Sequence, residues 1–487
     1  MLFNSLEYAL FLPIVFFLHW IGLKNHWKKQ NTLLLVASYI FYSWWDPRFL
    51  ILLIFSTLLD FYTGIRIHNS VKKNSKFFWF WLSISVNLGF LGLFKYYNFF
   101  AESFATLLES FGLHVNIWSL QIILPVGISF YTFHGLSYII DIYNDRIEPE
   151  RKIVDYALFV SYFPLLVAGP IERATHLLPQ VKQKRKFNYS NAIDGLRQIL
   201  WGLFKKIVIA DTCAEYANIL FNNYEDYSGI SLIFGAVFFS LQIYGDFSGY
   251  SDIALGTSRL FGIELLRNFN YPYFSRDIAE FWRKWHISLT TWFRDYLYIP
   301  LGGSRGSTWS KIRNTLIIFL VSGFWHGANW TFIMWGLINA LYFIPLLIRN
   351  KNKNFNGTVA EGNKLPNLKE VLLIFKTFAL VTFAWIFFRA ESITIAFNYI
   401  YLMFKELFVK DSLVNGLNFL RWDVGLMFPL VVIAFIVIEW IGRTQIHALI
   451  QFGFSWKRPF RLLFYYCILL SIIVYNSNNQ IFIYFQF

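Results

Sequence analysis

Residues 312–348 read IRNTLIIFLVSGFWHGANWTFIMWGLINALYFIPLLI, two apolar runs on either side of a short polar stretch. A membrane-spanning helix needs about 20 predominantly apolar residues. The runs 312–330 and 331–348 therefore predict two antiparallel helices, a hairpin that enters the membrane and returns. This stretch indicates an integral membrane protein, and it places His326 near the turn of the hairpin.

The rest of the chain repeats the apolar pattern. Of its 487 residues, 56% are hydrophobic and 15% are charged, whereas soluble chains carry about 25% charged residues. Further apolar runs lie near residues 6–23, 32–45, 50–65, 77–96, 120–140, 154–167, 230–244, 371–388, 395–408, 424–441 and 460–475. Because several runs are short, we expect an all-α polytopic membrane protein with about ten to twelve spanning helices plus in-plane and re-entrant helices.

The net charge of +14 comes mostly from short basic stretches between the apolar runs. These stretches are residues 24–29, 72–76, 182–186 and 349–353. This is the pattern of cytoplasmic loops under the positive-inside rule, and it places the N-terminus outside. A nucleic-acid-binding protein would need an exposed basic face, and the sequence predicts none.

Several classes of protein are excluded by what the sequence lacks. It has only two cysteines, Cys213 and Cys467, too few for a disulfide framework or a thiolate metal cluster. It has no nucleophile elbow, no phosphate-binding lysine loop and no His-Glu-x-x-His motif. Run 6–23 lacks a basic start and a cleavage site, so we interpret it as a retained helix. The polar stretch 350–367 predicts a disordered cytoplasmic loop.

The stretch 267–313 is too charged to span a membrane, yet it is rich in aromatic residues. On a helix its apolar side chains form one stripe: Ile278, Phe281, Trp282, Trp285, Leu289, Trp292, Phe293 and Tyr296. This stripe predicts a basic amphipathic helix in the headgroup plane on the cytoplasmic side. Arg283, Lys284 and Arg294 would contact headgroups or capture an anionic acyl carrier there.

His326 is the leading candidate for chemistry. If the helix continues through it, Ser322, His326 and Asn329 share one face, and Gly323 and Gly327 let another backbone or an elongated ligand approach closely. A lone buried histidine is more often structural, but polar residues inside a membrane are costly, and this face favours function. Imidazole is a suitable general base for a hydroxyl proton.

Other polar residues are more easily explained by structure. Asp246 and Asp252 lie in or beside an apolar run, and pairing with a Lys or Arg of another helix is the first interpretation. His286 lies at the edge of the aromatic stripe, where interfacial helices accept histidine freely. His134 fits a core histidine.

Five stretches together resemble the membrane-bound O-acyltransferase family, closest to its bacterial alginate O-acetylase type. They are YGDFSGYSD at 244–252, NFNYPYFSRDIAEFWRKWHISL at 268–289, YIPLGGSR at 298–305, SGFWHGANW at 322–330 and FAWIFFR at 383–389. The resemblance runs over about residues 124–390, and the motifs come in the family's order.

The resemblance implies a single polytopic acyltransferase domain, 1–487, with a cytoplasmic amphipathic region at about 267–313 and helices around a central funnel or tunnel. It implies an essential histidine at the position of His326 and a second at His286, where many eukaryotic members carry Asn or Asp. The residue patterns described above, rather than the resemblance, give the supporting or substrate-binding candidates Ser322, Asn329, Asp246, Asp252, Arg283 and Arg294.

The activity that the resemblance implies is O-acetylation of an exported polysaccharide such as alginate. The acetyl group would come from a cytoplasmic thioester donor, with acetyl-CoA expected and no metal required. A periplasmic or membrane-anchored partner protein is implied, as is a location in the bacterial cytoplasmic (inner) membrane.

Two other functions stay open at this point. D-alanyl transfer to teichoic acids shares the fold and both histidines, but its donor is attached to a small acidic carrier protein. A non-enzymatic channel or transporter is compatible with embedded Asp and His residues. The lack of internal repeats counts against a transporter built from paired halves.

Overall fold

The computed structural model describes residues 1–114, 120, 124–167, 169–476, 480 and 482–483, and its regular structure in these residues is helical, which confirms the all-α prediction. The α-helices in chain order are α1 (Leu6–Phe17), α2 (Trp27–Ser43), α3 (Pro47–Asn69), α4 (Lys73–Leu91), α5 (Tyr97–Ser110), α6 (Ile128–Tyr143), α7 (Ile153–Ser161), α8 (Phe163–Leu166), α9 (Ala174–Val181), α10 (Tyr189–Leu203), α11 (Thr212–Asn222), α12 (Gly229–Leu260), α13 (Ile278–Lys284), α14 (Ile287–Phe293), α15 (Thr308–His326), α16 (Trp330–Ile348), α17 (Leu368–Arg389), α18 (Ile393–Lys405), α19 (Ser412–Asn418), α20 (Met427–Gly442) and α21 (Arg458–Tyr475). Within the predicted run 120–140, residues 121–123 lie outside the described residues.

Six helices in the described part of the chain are long and apolar enough to cross a membrane. They are Pro47–Asn69, Lys73–Ser110, Gly229–Leu260, Trp330–Ile348, Leu368–Arg389 and Arg458–Tyr475. Ser412–Asp423 and Met427–Gly442, bent by 92° at their junction, add a seventh if they form one broken span. The prediction of ten to twelve spans goes beyond this number and stays a prediction.

The chain divides into two compact units, Met1–Gly195 with Thr257–Leu266 and Leu196–Gly256 with Arg267–Phe487. In the first unit, α3, α4 and α6 pack around Asp60. The Asp60 carboxylate accepts hydrogen bonds from Ser83 Oγ at 2.6 Å and Asn87 Nδ2 at 2.8 Å. Gly135 of α6 allows this approach, because a Cβ there would overlap the Asp60 carboxylate. These bonds satisfy polar groups that would otherwise be costly to bury.

In the second unit, α15 and α16 form the helical hairpin that the sequence predicts, and α16, but not α15, is among the six helices long and apolar enough to cross a membrane. The Ser307 side chain caps α15 by accepting from the Ser310 N–H at 3.3 Å. The helix ends at His326, and α16 begins after Asn329, whose side chain accepts from the Thr331 N–H at 3.0 Å. The cap starts a new helix with a new direction, so His326 lies where the hairpin turns.

Two glycines set the spacing of this hairpin. A Cβ on Gly323 would overlap the Phe332 carbonyl, and a Cβ on Gly336 would overlap the Phe319 carbonyl. The two helix backbones are therefore in direct contact, as small residues permit in membrane helix pairs. This confirms the predicted close approach at Gly323, with the partner being the second arm of the hairpin.

The aromatic stretch after residue 267 differs from the single interfacial helix predicted for it. Two short helices, α13 and α14, replace that helix, and a π-helical turn, Arg294–Tyr298, follows. The break falls at His286, whose φ of +43° lies in the left-handed region. A residue in that conformation cannot continue a right-handed helix, so the prediction of one helix is wrong.

The apolar stripe of this stretch packs inside the second unit. The Trp282 ring contacts that of Trp335 at 5.7 Å between centroids, and the Trp285 ring contacts that of Trp385 at 5.1 Å. Trp282 and Trp285 are both buried. Other protein helices supply the apolar surroundings that the sequence pattern attributes to lipid.

The loop 350–367, expected from its composition to be disordered, follows a fixed path. Three arginines of the second unit, Arg276, Arg283 and Arg443, donate hydrogen bonds to its main-chain carbonyls. Val359 in the middle of the loop is buried. Composition misses this order because the arginines lie far away in sequence.

Candidate active site

His326 lies in an aromatic enclosure at the end of α15, with 4% of its surface exposed. The rings of Trp325, Trp335 and Phe388 contact its imidazole, at centroid distances of 4.9, 5.1 and 5.3 Å. These rings keep bulk water away from the imidazole. Hydrogen bonds and charges are stronger in such surroundings than in water.

His286 occupies the break between α13 and α14, and Asn268 fixes that break. The Asn268 carbonyl accepts from the Ile287 N–H at 2.9 Å, and its side-chain oxygen accepts from Ser288 Oγ at 2.6 Å. Asn268 Nδ2 donates to Ser251 Oγ of α12 at 3.0 Å. These bonds hold the uncommon backbone conformation that turns His286 into the protein, where it is 1% exposed.

His286 and His326 both contact the ring of Trp325. The Trp325 indole lies 6.1 Å from the His286 imidazole and 4.9 Å from that of His326, between ring centroids. Phe247 of α12 packs against the ring of His286 at 4.6 Å. The fold thus brings together two histidines that are forty positions apart in sequence.

Burial lowers the pKa of His286 to about 3, because a charged imidazole is poorly solvated there. His286 lies outside the helices that are long enough to cross a membrane. Its ring is therefore neutral near pH 7, with one nitrogen that donates and one that accepts. Such a ring suits hydrogen bonding to a substrate better than removal of a proton.

The prediction that Ser322, His326 and Asn329 share one helical face is confirmed only for Ser322 and His326. Ser322 is buried one turn before His326 on α15. Asn329 lies beyond the end of that helix and caps the next one. Its Nδ2 donates to the Glu391 carbonyl at 2.9 Å, and its Oδ1 accepts from the Thr331 N–H. The prediction is wrong for Asn329 because the helix stops at His326.

A cavity of about 680 Å³ lies beside α13 and α14. Its basic lining residues are Arg283, Arg294 and Lys353. Trp282 forms part of its apolar wall and contacts Trp335, which in turn contacts His326. A chain of two indoles therefore connects the basic cavity with the candidate base. A ligand with an anionic group and a short uncharged arm fits this combination.

The two predicted arginines at this cavity are held differently. Arg283 donates to the carbonyls of Asn352 and Phe355 at 2.6 and 2.8 Å, so it also fastens the loop beside the cavity. Arg294 donates to Asp295 Oδ1 at 2.8 Å in an exposed pair. Both side chains line the cavity. Arg294 is the more available of the two for an incoming anion.

Asp246 and Asp252 are held in ion pairs, as their first interpretation predicts. Lys206 Nζ lies 2.9 Å from Asp246 Oδ1 and 2.7 Å from Asp211 Oδ1, and Lys205 Nζ lies 2.5 Å from Asp252 Oδ2. Both lysines belong to a π-helical segment, Phe204–Asp211. Among the described residues, no group of three or more His, Cys, Asp or Glu is placed to hold a metal ion.

Glu439 is a buried acidic residue that the sequence reasoning missed. Its carboxylate accepts hydrogen bonds from Trp201 Nε1 at 2.8 Å and from the Tyr244 hydroxyl at 2.6 Å. It lines a small polar cavity together with Lys205 and Asp252. A signal was present, since Glu439 is the one acidic residue in the very apolar helix α20. Ionisable residues in such helices are rare and usually have a partner.

Several known proteins resemble this chain in sequence. The sequence profile of the membrane-bound O-acyltransferase family matches residues 150–356. A probable alginate O-acetylase of Pseudomonas aeruginosa is 38% identical over 90% of this chain and 80% of its own length. A peptidoglycan O-acetyltransferase of Helicobacter pylori is 32% identical over 100% of this chain and 98% of its own. A teichoic acid D-alanyltransferase of Bacillus subtilis is 29% identical over 44% of this chain and 57% of its own. With such identity over most of two relatives, and with apolar helices to match, this multi-pass membrane enzyme transfers acyl groups to oxygen and belongs to the membrane-bound O-acyltransferase family.

Proposed function

We propose that this enzyme O-acetylates an exported polysaccharide and takes the acetyl group from a cytoplasmic thioester, acetyl-CoA. The observation that carries the proposal is the contact of Trp325 with both His286 and His326, next to a cavity with a basic lining. Two relatives that match most of this chain are named for acetyl transfer to alginate and to peptidoglycan. Both acceptors are polysaccharides outside the cytoplasm, and we expect an acceptor of the same class here.

The donor fits the cavity beside α13 and α14. Coenzyme A carries several phosphate charges at one end and a thioester at the end of a long uncharged arm. Arg294, Lys353 and Arg283 would contact the phosphates, since guanidinium and ammonium groups bind phosphate well. The uncharged arm would pass Trp282 toward Trp335, and the thioester would reach the imidazole of His326.

His326 is the proposed general base. Its imidazole takes the proton of the acceptor hydroxyl while that oxygen attacks the thioester carbonyl. The tetrahedral intermediate then collapses with loss of the C–S bond, and the imidazolium returns the proton to the departing thiolate. Ser322 or a main-chain N–H would stabilise the oxyanion, whereas the amide of Asn329 is occupied by Thr331 and Glu391.

His286 has a different role in this proposal. Because its pKa is low, the neutral ring acts as a hydrogen-bonding group that orients donor or acceptor beside Trp325. Asp246 and Asp252 act on structure, through their lysine partners.

The remaining features of the proposal concern the surroundings of the enzyme. We expect it in the bacterial cytoplasmic (inner) membrane, with the N-terminus outside and the basic loops inside. A funnel or tunnel among its helices would lead the acetyl group across. A periplasmic or membrane-anchored partner protein would complete the transfer to the polysaccharide.

The test uses membranes that contain the full-length protein and acetyl-CoA labelled in the acetyl group. Labelled acetyl ester in the polysaccharide should fall about 10²- to 10⁴-fold in His326→Ala, which is the usual contribution of a general base. His68→Ala, at an exposed histidine, is the matched control and should retain activity. Unchanged acetylation by a normally inserted His326→Ala protein would contradict the proposal. Transfer of D-alanine from a charged carrier protein, without acetyl transfer, would replace it with the teichoic acid reaction.

A further inference from the structure

A second basic cavity lies in the first unit, at the end of α1, with a volume of about 680 Å³. Its charged lining residues are Lys24, Lys184, Arg185 and Lys186, and among the residues that the structure describes no acidic side chain lines it. The other side of the cavity is aromatic and apolar, with Phe17, Trp20 and Phe187 among its residues. Four positive charges next to an apolar wall predict a ligand that is anionic at one end and apolar at the other.

Arg185 gives this cavity a buried cation. Only 8% of its surface is exposed. Its Nη2 donates to Asn31 Oδ1 at 2.6 Å, but Nε and Nη1 make no hydrogen bond within the described part of the chain. The nearby Asp155 carboxylate accepts from Asn31 Nδ2 at 2.8 Å, so Asn31 lies between the two charges. A buried guanidinium with unused donors is costly unless a ligand supplies acceptors.

The apolar side of the site continues along α1 and the π-helical turn that follows it, Leu18–Gly22. Leu10, Ile14, Phe17 and Ile21 follow one another at helical spacing and are 61%, 59%, 56% and 71% exposed. In a membrane protein such a stripe faces acyl chains. The stripe ends at the cavity, because Phe17 and Ile21 belong to both. Hydrocarbon chains that lie along α1 would therefore place their headgroup among the basic residues.

We propose that this cavity binds the phosphate headgroup of an anionic phospholipid, with its acyl chains along α1. The phosphate accepts hydrogen bonds from Arg185, and the three lysines add attraction for the anionic headgroup. Basic pockets between membrane helices on the cytoplasmic side are suited to such headgroups. This site lies within the first unit and does not depend on the proposed acetyl transfer.

A free phosphate ion would satisfy the same guanidinium donors, so the experiment must separate the two sources. Only a lipid uses the exposed stripe of α1, and only a lipid is held by apolar burial in addition to charge. Chain-dependent binding therefore distinguishes the phospholipid from the ion.

The experiment is native mass spectrometry of the full-length protein in detergent. It is titrated in parallel with phosphatidylglycerol, with phosphatidylcholine of the same chains, and with inorganic phosphate. Phosphatidylglycerol should bind about 10-fold or more tightly than phosphatidylcholine, and inorganic phosphate in excess should not displace it. The variant Lys24→Gln/Lys184→Gln/Lys186→Gln removes only exposed side chains and should weaken phosphatidylglycerol binding about 10- to 100-fold.

The matched control removes three exposed lysines elsewhere in the first unit, in Lys29→Gln/Lys72→Gln/Lys73→Gln. This variant has the same net charge and should bind phosphatidylglycerol as the wild type does. Equal loss in both triple variants would show that only total charge matters and would overturn the site. Equal binding of the two lipids, or displacement by inorganic phosphate, would overturn the lipid assignment.

Discussion

Around Lys206 the second unit buries charges by pairing them, whereas around His286 it surrounds an imidazole with aromatic rings. Lys206 contacts two carboxylates within 2.9 Å, those of Asp211 and Asp246. His286 instead meets the rings of Phe247 and Trp325. In the first arrangement the lysine offsets the cost of burying the two carboxylates, and in the second the aromatic surroundings favour the neutral imidazole. Loss of a partner should therefore be severe in the first region, while acidification should affect the second.

The largest effect is expected for Lys206→Met, which leaves Asp211 and Asp246 buried without their cation. Removal of one partner from a buried pair costs about 3–5 kcal/mol. Thermal unfolding of the protein in detergent measures this loss. Lys405→Met is the matched control, because its pair with Glu406 is exposed and such pairs contribute about 0–1 kcal/mol. Similar losses in both variants would remove the contrast between a buried network and a surface pair.

The aromatic region depends on close packing rather than on charge, and Gly323→Ala tests that. The added methyl group would overlap the Phe332 carbonyl and push α15 from α16, which we expect to cost about 1–3 kcal/mol. Acetyl transfer should fall as well, since His326 ends the displaced helix. Gly89→Ala in α4 is the control, because a Cβ there meets nothing within 4 Å. Loss of stability in Gly89→Ala but not in Gly323→Ala would contradict the packing explanation.

The smallest effect concerns pH. Burial lowers the pKa of His286 from 6.5 to about 3, so below pH 6.5 the unfolded chain binds a proton that the folded protein does not. Stability therefore falls on acidification, by about 1 kcal/mol at pH 5.5 from this group. In His286→Gln the free energy of unfolding should fall by about 1 kcal/mol less between pH 7.5 and pH 5.5 than it does in the wild type. Unfolding measured at the two pH values checks this. An unchanged pH dependence would mean that His286 accepts a proton in the folded state.

The sequence predicts the helical class, the hairpin and the two histidines, because these depend on local patterns. Apolar runs of 19 and 18 residues predict the arms of the hairpin, and Trp-His occurs at both 285–286 and 325–326. Local patterns do not reveal that both histidines contact Trp325, since that contact depends on the turn which Asn268 holds.

Two predictions from the sequence are wrong for the same physical reason. The aromatic stripe of α13 and α14 has the periodicity of an interfacial helix, and nothing local indicates that Trp335 and Trp385 will cover it. Asn329 has the spacing of a helical neighbour of His326, but its side chain caps the next helix. Periodicity identifies a face and does not say what covers it or where the helix ends.

The arginine contacts of loop 350–367 bear on how this protein can vary over time. Six hydrogen bonds end on its main-chain carbonyls, one from Arg276, two from Arg283 and three from Arg443. Every amino acid has such a carbonyl, so side chains in the loop can be exchanged without loss of these bonds. Related chains could therefore diverge widely in this segment and keep its path, whereas a change at one of the three arginines would alter the shape of the whole loop.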